Sequence, residues 1–376
     1  MRSRRWLIAL AVIVAVLLVL GQRLSAWYVD YQWYSALDAA EVWRAKAWNL
    51  LLLRGGTFLV GTLFVFANLY AVRHSVELLV RPRRVGNLEI SEEVSGHVLL
   101  LAVTVLSIVI GALLALPHDD WVTIELVRHG APFGETDPFF RADLGYWLYW
   151  LPLESALQLW AIVTLVAVTL VVVFLYALTP SLKWEGGRLA VSAYVRRHLF
   201  VLAGVLLLLL AWGYRLDAFG LLHEGSGPMG TFVAIDHRVG IPLNLMLALA
   251  AVSTAMLVTW SGWTGHLTVA FITLTVMLVA ALTVRQVVPP IAERFVTVAS
   301  TEAAYREIRN GYTRRAYDVD RLTRPASPLP LPSAADAVRG ASVWDGAALE
   351  RAIGRPREAA RPSGGLGWDQ QEGRLV

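Results

Sequence analysis

Cysteine is absent from the 376 residues of this chain. That absence excludes a disulfide framework, an iron–sulfur cluster, a thiolate metal site and a cysteine nucleophile. Charged residues are also scarce: they make up 16% of the chain, whereas a soluble globular domain carries about 25%. Because 56% of the residues are hydrophobic, the composition indicates a protein that has lipid as its solvent.

Seven long apolar stretches account for that composition. Each approaches the roughly 20 residues that a helix needs to cross a hydrocarbon core. They predict an all-α fold, a polytopic transmembrane bundle of about seven spans within residues 1–285. The predicted spans are residues 6–25, 48–72, 98–116, 157–178, 199–214, 242–260 and 267–284.

The middles of these spans contain no Asp, Glu, Lys, Arg or His. Proton relays and ion-coupled transporters generally need such groups inside the membrane, so the sequence disfavours both. Residues 6–25 follow three arginines, as the apolar part of a cleaved signal peptide also does. Their length and the bulky aromatic residues behind them favour an uncleaved anchor.

The basic residues between the spans predict the orientation. The N-terminus and the second and fourth loops hold eleven Lys and Arg, whereas the alternate loops hold seven. Since basic loops stay in the cytoplasm, we expect a plasma-membrane protein with a cytoplasmic N-terminus and an extracytoplasmic C-terminus. The bases lie in short blocks between apolar runs, which is typical of topology signals, and we predict no nucleic-acid partner.

Aromatic residues concentrate near the predicted span ends, with Trp27, Trp33, Trp147 and Trp150 among fifteen tryptophans. An interfacial belt in contact with the bilayer explains most of them. The run from Tyr146 to Trp150 also fits a partly inserted amphipathic helix on which an envelope lipid or glycan stacks. Together with acids of the third loop, these residues predict a short extracytoplasmic aromatic and acidic helical cap.

Acids and histidines of the outward loops are the candidates for chemistry. His118, Asp119 and Asp120 form a tight cluster, but their spacing matches no zinc signature, so we predict neither a metal nor another cofactor. Asp137 precedes Pro138, a pair that favours the start of a short helix. Asp143 would then lie toward water, while Phe140, Leu144, Trp147 and Leu151 face the membrane at helical spacing.

Four motifs resemble those of one family, uncharacterised protein family 0182. Residues 137–152 contain Asp137, Pro138, Phe139 and Asp143, then an aromatic run from Tyr146 that ends at Pro152. Residues 27–37 are similar to the family's segment after the first span. Residues 230–242, with Asp236, resemble its glycine-rich motif, and residues 313–320 resemble its TRxAYxLD motif.

This resemblance implies a seven-span bacterial membrane protein with a large extracytoplasmic C-terminal domain and no assigned activity. Family members normally continue well beyond residue 376, so we expect most of that domain to be missing. From composition we predict a polar helical segment at residues 286–322. Residues 323–376, rich in Pro, Ala, Gly and Arg, predict a disordered low-complexity tail.

Three functions fit this sequence. The first is a non-enzymatic membrane base or scaffold for an extracytoplasmic segment in envelope assembly, with unidentified protein partners. The second is a transporter or permeation path for an uncharged or lipid-like solute, and a cavity lined by polar groups would favour it. The third is an outer-leaflet membrane enzyme, which convergent Asp and His under an aromatic groove would favour.

Overall fold

The computed structural model describes residues 2–77, 83–85, 88–90, 96–115, 120–179, 182–185, 188–296 and 299–321. The chain divides into two compact units, residues 1–307 and 308–376. In the second unit, residues 308–321 are described. They include the end of a helix and a short 3-10 turn, Val319–Arg321, in which Arg321 pairs with Asp318 at 3.1 Å.

Ten α-helices are present in the described residues. They are α1 Arg2–Ala36, α2 Ala40–Glu77, α3 Gly96–Ala115, α4 Trp121–His129, α5 Leu151–Ala177, α6 Ala193–Gly220, α7 Ile241–Thr264, α8 Leu267–Leu282, α9 Val288–Val296 and α10 Ala299–Ala316.

Two short antiparallel hairpins were not predicted. Strands β1 (Arg83–Val85) and β2 (Leu88–Ile90) lie between α2 and α3. Strands β3 (Leu182–Glu185) and β4 (Arg188–Val191) lie between α5 and α6. Both hairpins therefore occupy loops that the distribution of basic residues places on the same side of the membrane.

The all-α membrane bundle is confirmed. Six helical stretches among the described residues are long and apolar enough to cross a membrane: Ala40–Arg73, Gly96–Ala115, Tyr146–Ala177, Ala193–Gly220, Asp236–Thr264 and Leu267–Ala292. The remaining predicted span, residues 6–25, lies in α1, where the side chains of residues 1–9 and several others are outside the described set. The count of seven stays a prediction.

Three of these stretches contain a π-helical turn. The turns Tyr146–Trp150 and Asp236–Gly240 lead into α5 and α7, and the turn Thr283–Val287 joins α8 to α9. One residue separates each turn from a proline, at positions 152, 242 and 289. A proline lacks an N–H and its ring clashes with the carbonyl four residues earlier, so a wider turn relieves the clash.

Helix α6 lies between the two halves of the core. On one side its Val195 and Leu202 pack with buried residues of α2 and α5, such as Val65 and Val168. On the other side its Leu207 packs with small and apolar residues of α7 and α8. Small side chains let membrane helices approach closely, which increases their dispersion contacts where the hydrophobic effect is weak.

Candidate functional site

The candidate site is a cap that covers one end of the bundle. We define the cap as residues 120–145, residues 221–240 and residues 299–307. It contains the motif acids at positions 137, 143 and 236 and the π-helical turn before α7, and it adjoins the π-helical turn before α5. Its contacts show what these motif residues do.

Asp137 organises the first loop of the cap. One carboxylate oxygen, Oδ1, accepts hydrogen bonds from the amides of Phe139 at 2.8 Å and Phe140 at 2.7 Å. The other, Oδ2, accepts from the amide of Ala142 at 2.9 Å. The helix expected from Pro138 does not form, because the chain turns back at Arg141, whose φ is 56°. Asp137 is 3% exposed and holds a turn closed.

Asp143 does the same for the next part of that loop. Its Oδ1 accepts from the amides of Gly145 at 2.8 Å and Phe133 at 3.2 Å, and its Oδ2 accepts from Gly134 at 3.0 Å. The hydrogen bond from Gly145 has the largest effect on the carboxyl, and with the other two it lowers the pKa of Asp143 below its ordinary value.

Asp236 holds the second loop, residues 221–240. Its carboxylate accepts from the amide of Ser226, at 3.0 Å to Oδ2, and from the amide of Val233 at 3.0 Å. It is 3% exposed and stands at the start of a π-helical turn. All three motif acids thus accept backbone amides, which is the role of a structural carboxylate in a tight loop.

An aromatic cluster joins the two loops to α10. The ring of Phe139 lies 4.7 Å from that of Phe232 and 4.8 Å from the imidazole of His237. It also stacks on the ring of Tyr305 at 5.9 Å with an interplanar angle of 3°. The sequence singled out Phe139 but gave no signal for Tyr305, which lies more than 160 residues later.

Two hydrogen bonds accompany the ring contacts between α10 and the cap loops. The Tyr305 hydroxyl lies 2.9 Å from His237 Nδ1. The Glu302 carboxylate accepts from the amide of Ala234 at 3.0 Å. The beginning of α10 is therefore docked on the cap by a ring stack and two polar contacts.

The predicted aromatic run is part of the base of the cap. Trp147 donates its indole N–H to the carbonyl of Phe219 at 2.9 Å, and Tyr146 packs against the same ring. Phe140 stacks on Phe219 at 4.2 Å. Leu151 is buried, so the expectation that it faces the membrane was wrong. Phe140 and Trp147 are half-buried against these neighbours, and whether they face the membrane stays a prediction.

The other singled-out tryptophans are Trp27 and Trp33, both in α1, and Trp150, at the end of the aromatic run. Trp27, Trp33 and Trp150 are exposed, as residues of an interfacial belt must be. Trp27 makes an edge contact with Trp43 at 5.9 Å, so the first two helices share aromatic residues at one end. The belt itself, and contact with an envelope lipid or glycan, stay predictions.

Helix α4 is tied to the bundle by a polar cluster. Asn49 of α2 is fully buried, donates to the Glu125 carboxylate and accepts from Arg128 Nη1 at 2.9 Å. His129 Nδ1 lies 3.0 Å from the other Glu125 oxygen. The amphipathic α4 is thus held against the membrane helices by its own polar side.

Polar side chains also pair within the helices that cross the membrane, most of them just outside the predicted apolar spans. Glu154 of α5 accepts from Arg215 of α6 at 2.8 Å. His198 of α6 bridges Tyr176 of α5 and Asn68 of α2, at 2.8 and 2.9 Å. Sequence inspection missed these pairings because the helices extend past the apolar runs and the partners are far apart along the chain.

A cavity of about 670 Å³ opens beneath the cap. Trp147 and Pro152 line one side of it and Val284, Arg285 and Pro289 another. The ends of α6 and α7 contribute Asp217 and Leu243. The cavity therefore brings together three of the residues singled out in the sequence: Trp147, Pro152 and Asp236.

Histidines and acids of the cap are the side chains that could bind a metal ion. Among residues whose positions are described, no group of three or more His, Asp or Glu is placed to hold a metal ion. His118 and Asp119, two members of the cluster noted in the sequence, lie outside those residues. Residues 323–376, the predicted disordered tail, are outside them as well.

Comparison with known proteins gives a consistent answer. Residues 7–345 match the uncharacterised protein family UPF0182. A UPF0182 protein of Rhodococcus erythropolis is 29% identical over 331 residues, 85% of this chain and 34% of the relative. One of Cupriavidus necator is 28% identical over 88% of this chain and 36% of its own length.

A third relative, from Mycobacterium tuberculosis, is 28% identical over 85% of this chain and 33% of its own length. The chain thus spans about a third of the length of these curated relatives. No solved structure matches it.

Proposed function

This chain belongs to the uncharacterised protein family UPF0182, and from that premise we propose that it is a membrane base, or scaffold, for an extracytoplasmic segment in bacterial envelope assembly. The docking of α10 on the cap supports this proposal most. Glu302 and Tyr305 come soon after the last candidate span, Leu267–Ala292, and both bind the cap.

The docking of α10 on the cap fixes the position of the segment that leaves the membrane. A helix that left the bilayer without contacts would turn freely about its junction, and whatever followed it would have no defined position. A ring stack with two hydrogen bonds removes this freedom over one short stretch of α10. Pre-organisation of this kind is what a scaffold needs in order to present a partner-binding segment.

The three motif acids support the scaffold because they argue against the enzyme. A general acid or base must reach a substrate proton, whereas Asp137 and Asp236 are buried and bound to amides of their own loops. These acids are thus poor candidates for an outer-leaflet enzyme. They stiffen the surface on which α10 docks.

The location belongs to the proposal as well. We place the protein in the plasma membrane of a bacterium, with its N-terminus in the cytoplasm and the cap outside. The excess of basic residues at the N-terminus and in the second and fourth loops supports this orientation.

A permeation path for a lipid-like solute is the second candidate, since the cavity of about 670 Å³ combines polar and apolar walls. Its position at one end of the helices fits a binding site better than a continuous path. The scaffold remains the function we propose.

The test is complementation of a strain that lacks the gene, read out as the envelope's barrier to a dye or a large antibiotic. The chain carrying Glu302→Gln and Tyr305→Ala should reach the membrane but restore the barrier poorly. Tyr312→Ala, the same change further along α10, is the control and should restore it. Full restoration by the double variant would refute the scaffold role.

A further inference from the structure

We propose that the cavity beneath the cap binds one phospholipid with a primary-amine headgroup, taken from the leaflet on the cap side. This inference goes beyond the scaffold role and does not depend on it. It is based on the position of the cavity, the division of its walls and the charges at its mouth.

The cavity lies at the level where the membrane helices end. All three π-helical turns border it, through Trp147, Val239 and Val284. The last turn of α6 adds Leu216 and Gly220. Since the first two of these turns mark the junction of apolar helices with the polar cap, the cavity is at the depth of lipid headgroups and the first carbons of the acyl chains.

The walls divide into two parts. Leu151, Leu216, Leu243 and Val284 form an apolar part, from four different helical stretches. Ser155 and Asn244 are polar residues among them, and both can donate hydrogen bonds to ester carbonyls. At about 670 Å³ the cavity is within the usual size of small-molecule sites, large enough for a headgroup, a glycerol unit and the start of two acyl chains.

The charges select the headgroup. Arg285 Nη2 lies 3.3 Å from Asp217 Oδ2, and both side chains keep much of their surface exposed, 70% and 47%. The pair is therefore accessible to a ligand. A lipid phosphate can bind the guanidinium, which offers five N–H donors in a planar fork, and an adjacent ammonium can bind the carboxylate.

Further acidic side chains strengthen the preference for a headgroup that carries an amine. Glu224 also lines the cavity, as does Asp236, whose carboxylate accepts amides of its own loop, so the acids outnumber the one guanidinium there. A lipid with a phosphate and no amine would meet more negative than positive charge, whereas an ammonium group offsets part of that imbalance. A quaternary amine carries the same charge but no N–H, and it cannot donate a hydrogen bond to Asp217.

The experiment measures lipid retention by the full chain. The protein, purified in detergent without its native lipid, is incubated with phosphatidylethanolamine, phosphatidylglycerol or phosphatidylcholine of identical acyl chains and examined by native mass spectrometry. Phosphatidylethanolamine should be retained best. Asp217→Asn and Arg285→Gln should each weaken its apparent affinity by about tenfold, the loss of one charge-assisted contact.

Lys46→Gln is the matched control, because it breaks an ion pair of the same length, 3.3 Å, between Lys46 and Asp30 on α2 and α1. It should leave retention unchanged. Leu243→Trp fills the apolar part of the cavity and should abolish retention while the melting temperature is preserved.

Equal retention of the three lipids would overturn the proposal, as would undiminished binding by a folded Leu243→Trp variant. If a charge variant fails to fold, Leu243→Trp with the three-lipid comparison still decides. Weakening by Lys46→Gln equal to that by Asp217→Asn would also refute the site.

Discussion

His198 Nε2 lies 2.9 Å from Asn68 Oδ1, and this contact fixes the proton on the imidazole. Asn68 donates its amide group to the carbonyl of Phe64 at 2.8 Å, which leaves its oxygen to accept from the imidazole. His198 therefore carries its proton on Nε2, and its Nδ1 accepts from the Tyr176 hydroxyl at 2.8 Å. One imidazole thus connects α2, α5 and α6.

Removal of the Tyr176 hydroxyl should destabilise the bundle. In Tyr176→Phe the Nδ1 of the half-buried His198 loses its donor at the fully buried position 176, and an acceptor left unsatisfied inside a protein costs about 1–3 kcal/mol. The measurement is the melting temperature in detergent. Tyr194→Phe is the control: its hydroxyl donates to the carbonyl of Ala71 from an exposed position, so its loss should have a smaller effect. An equal fall in both variants would contradict the role given to His198.

The crossing of α2 and α3 should not tolerate even a methyl group at position 111. A Cβ added to Gly111 would lie 2.9 Å from the Thr62 amide nitrogen and 3.0 Å from its Cα, and backbone atoms cannot move aside alone. We expect Gly111→Ala to lower the stability by about 1–3 kcal/mol, typical of overpacking.

Gly55→Ala tests this explanation. A Cβ at Gly55 meets nothing within 4 Å, so in the same helix pair the change should be neutral or stabilising. A stable Gly111→Ala protein would show that the two helices separate easily.

The cap should lose stability in acid through Asp143. Its folded pKa is lowered below the ordinary 3.8 by the amides of Gly145, Phe133 and Gly134. The carboxylate therefore stabilises the cap fully above that ordinary value, and the contribution is lost as pH falls through the folded pKa. Melting temperatures should fall between pH 5 and pH 3 by less in Asp143→Asn than in the unchanged protein. An identical fall in both would exclude this carboxyl as the cause.

The orientation can be tested directly because the chain lacks cysteine. Met229→Cys, at a fully exposed tip of the cap, should react with an impermeant thiol reagent in intact cells. His266→Cys, in the loop between α7 and α8, should react only after permeabilisation. The reverse pattern would place the cap in the cytoplasm.

The sequence predicted the fold class well, because long apolar runs leave a helix bundle as the natural structure in lipid. It underestimated the length of the helices, which continue into polar residues at their ends. The predicted fifth span, residues 199–214, lies in a helix that runs from Ala193 to Gly220. A charged residue such as Arg215 normally ends an apolar run, but here Glu154 pairs with it from another helix, and sequence alone does not reveal that partner.

The cap was harder to predict for a different reason. Asp137 and Pro138 have the spacing of a helix start, yet the amide that completes the turn comes from Ala142 after a residue with positive φ. A positive φ at an arginine leaves no mark in the residue pattern. The docking of Tyr305 depends on a contact between distant parts of the chain, and periodicity carries no information about it.

The π-helical turns have a consequence for how the two parts of the protein can change. Such a turn holds about one residue more than an α-helical turn, so the side chains before it are rotated by roughly 100° relative to the apolar stripe behind it. Deleting one residue from Tyr146–Trp150 would regularise the helix but swing the Asp143 loop to another side. The side chains of the cap are therefore rotated about the helix axis relative to those of the bundle. A cap or a bundle taken from a relative would fit this chain only if the extra residue of the π-helical turn were transferred with it.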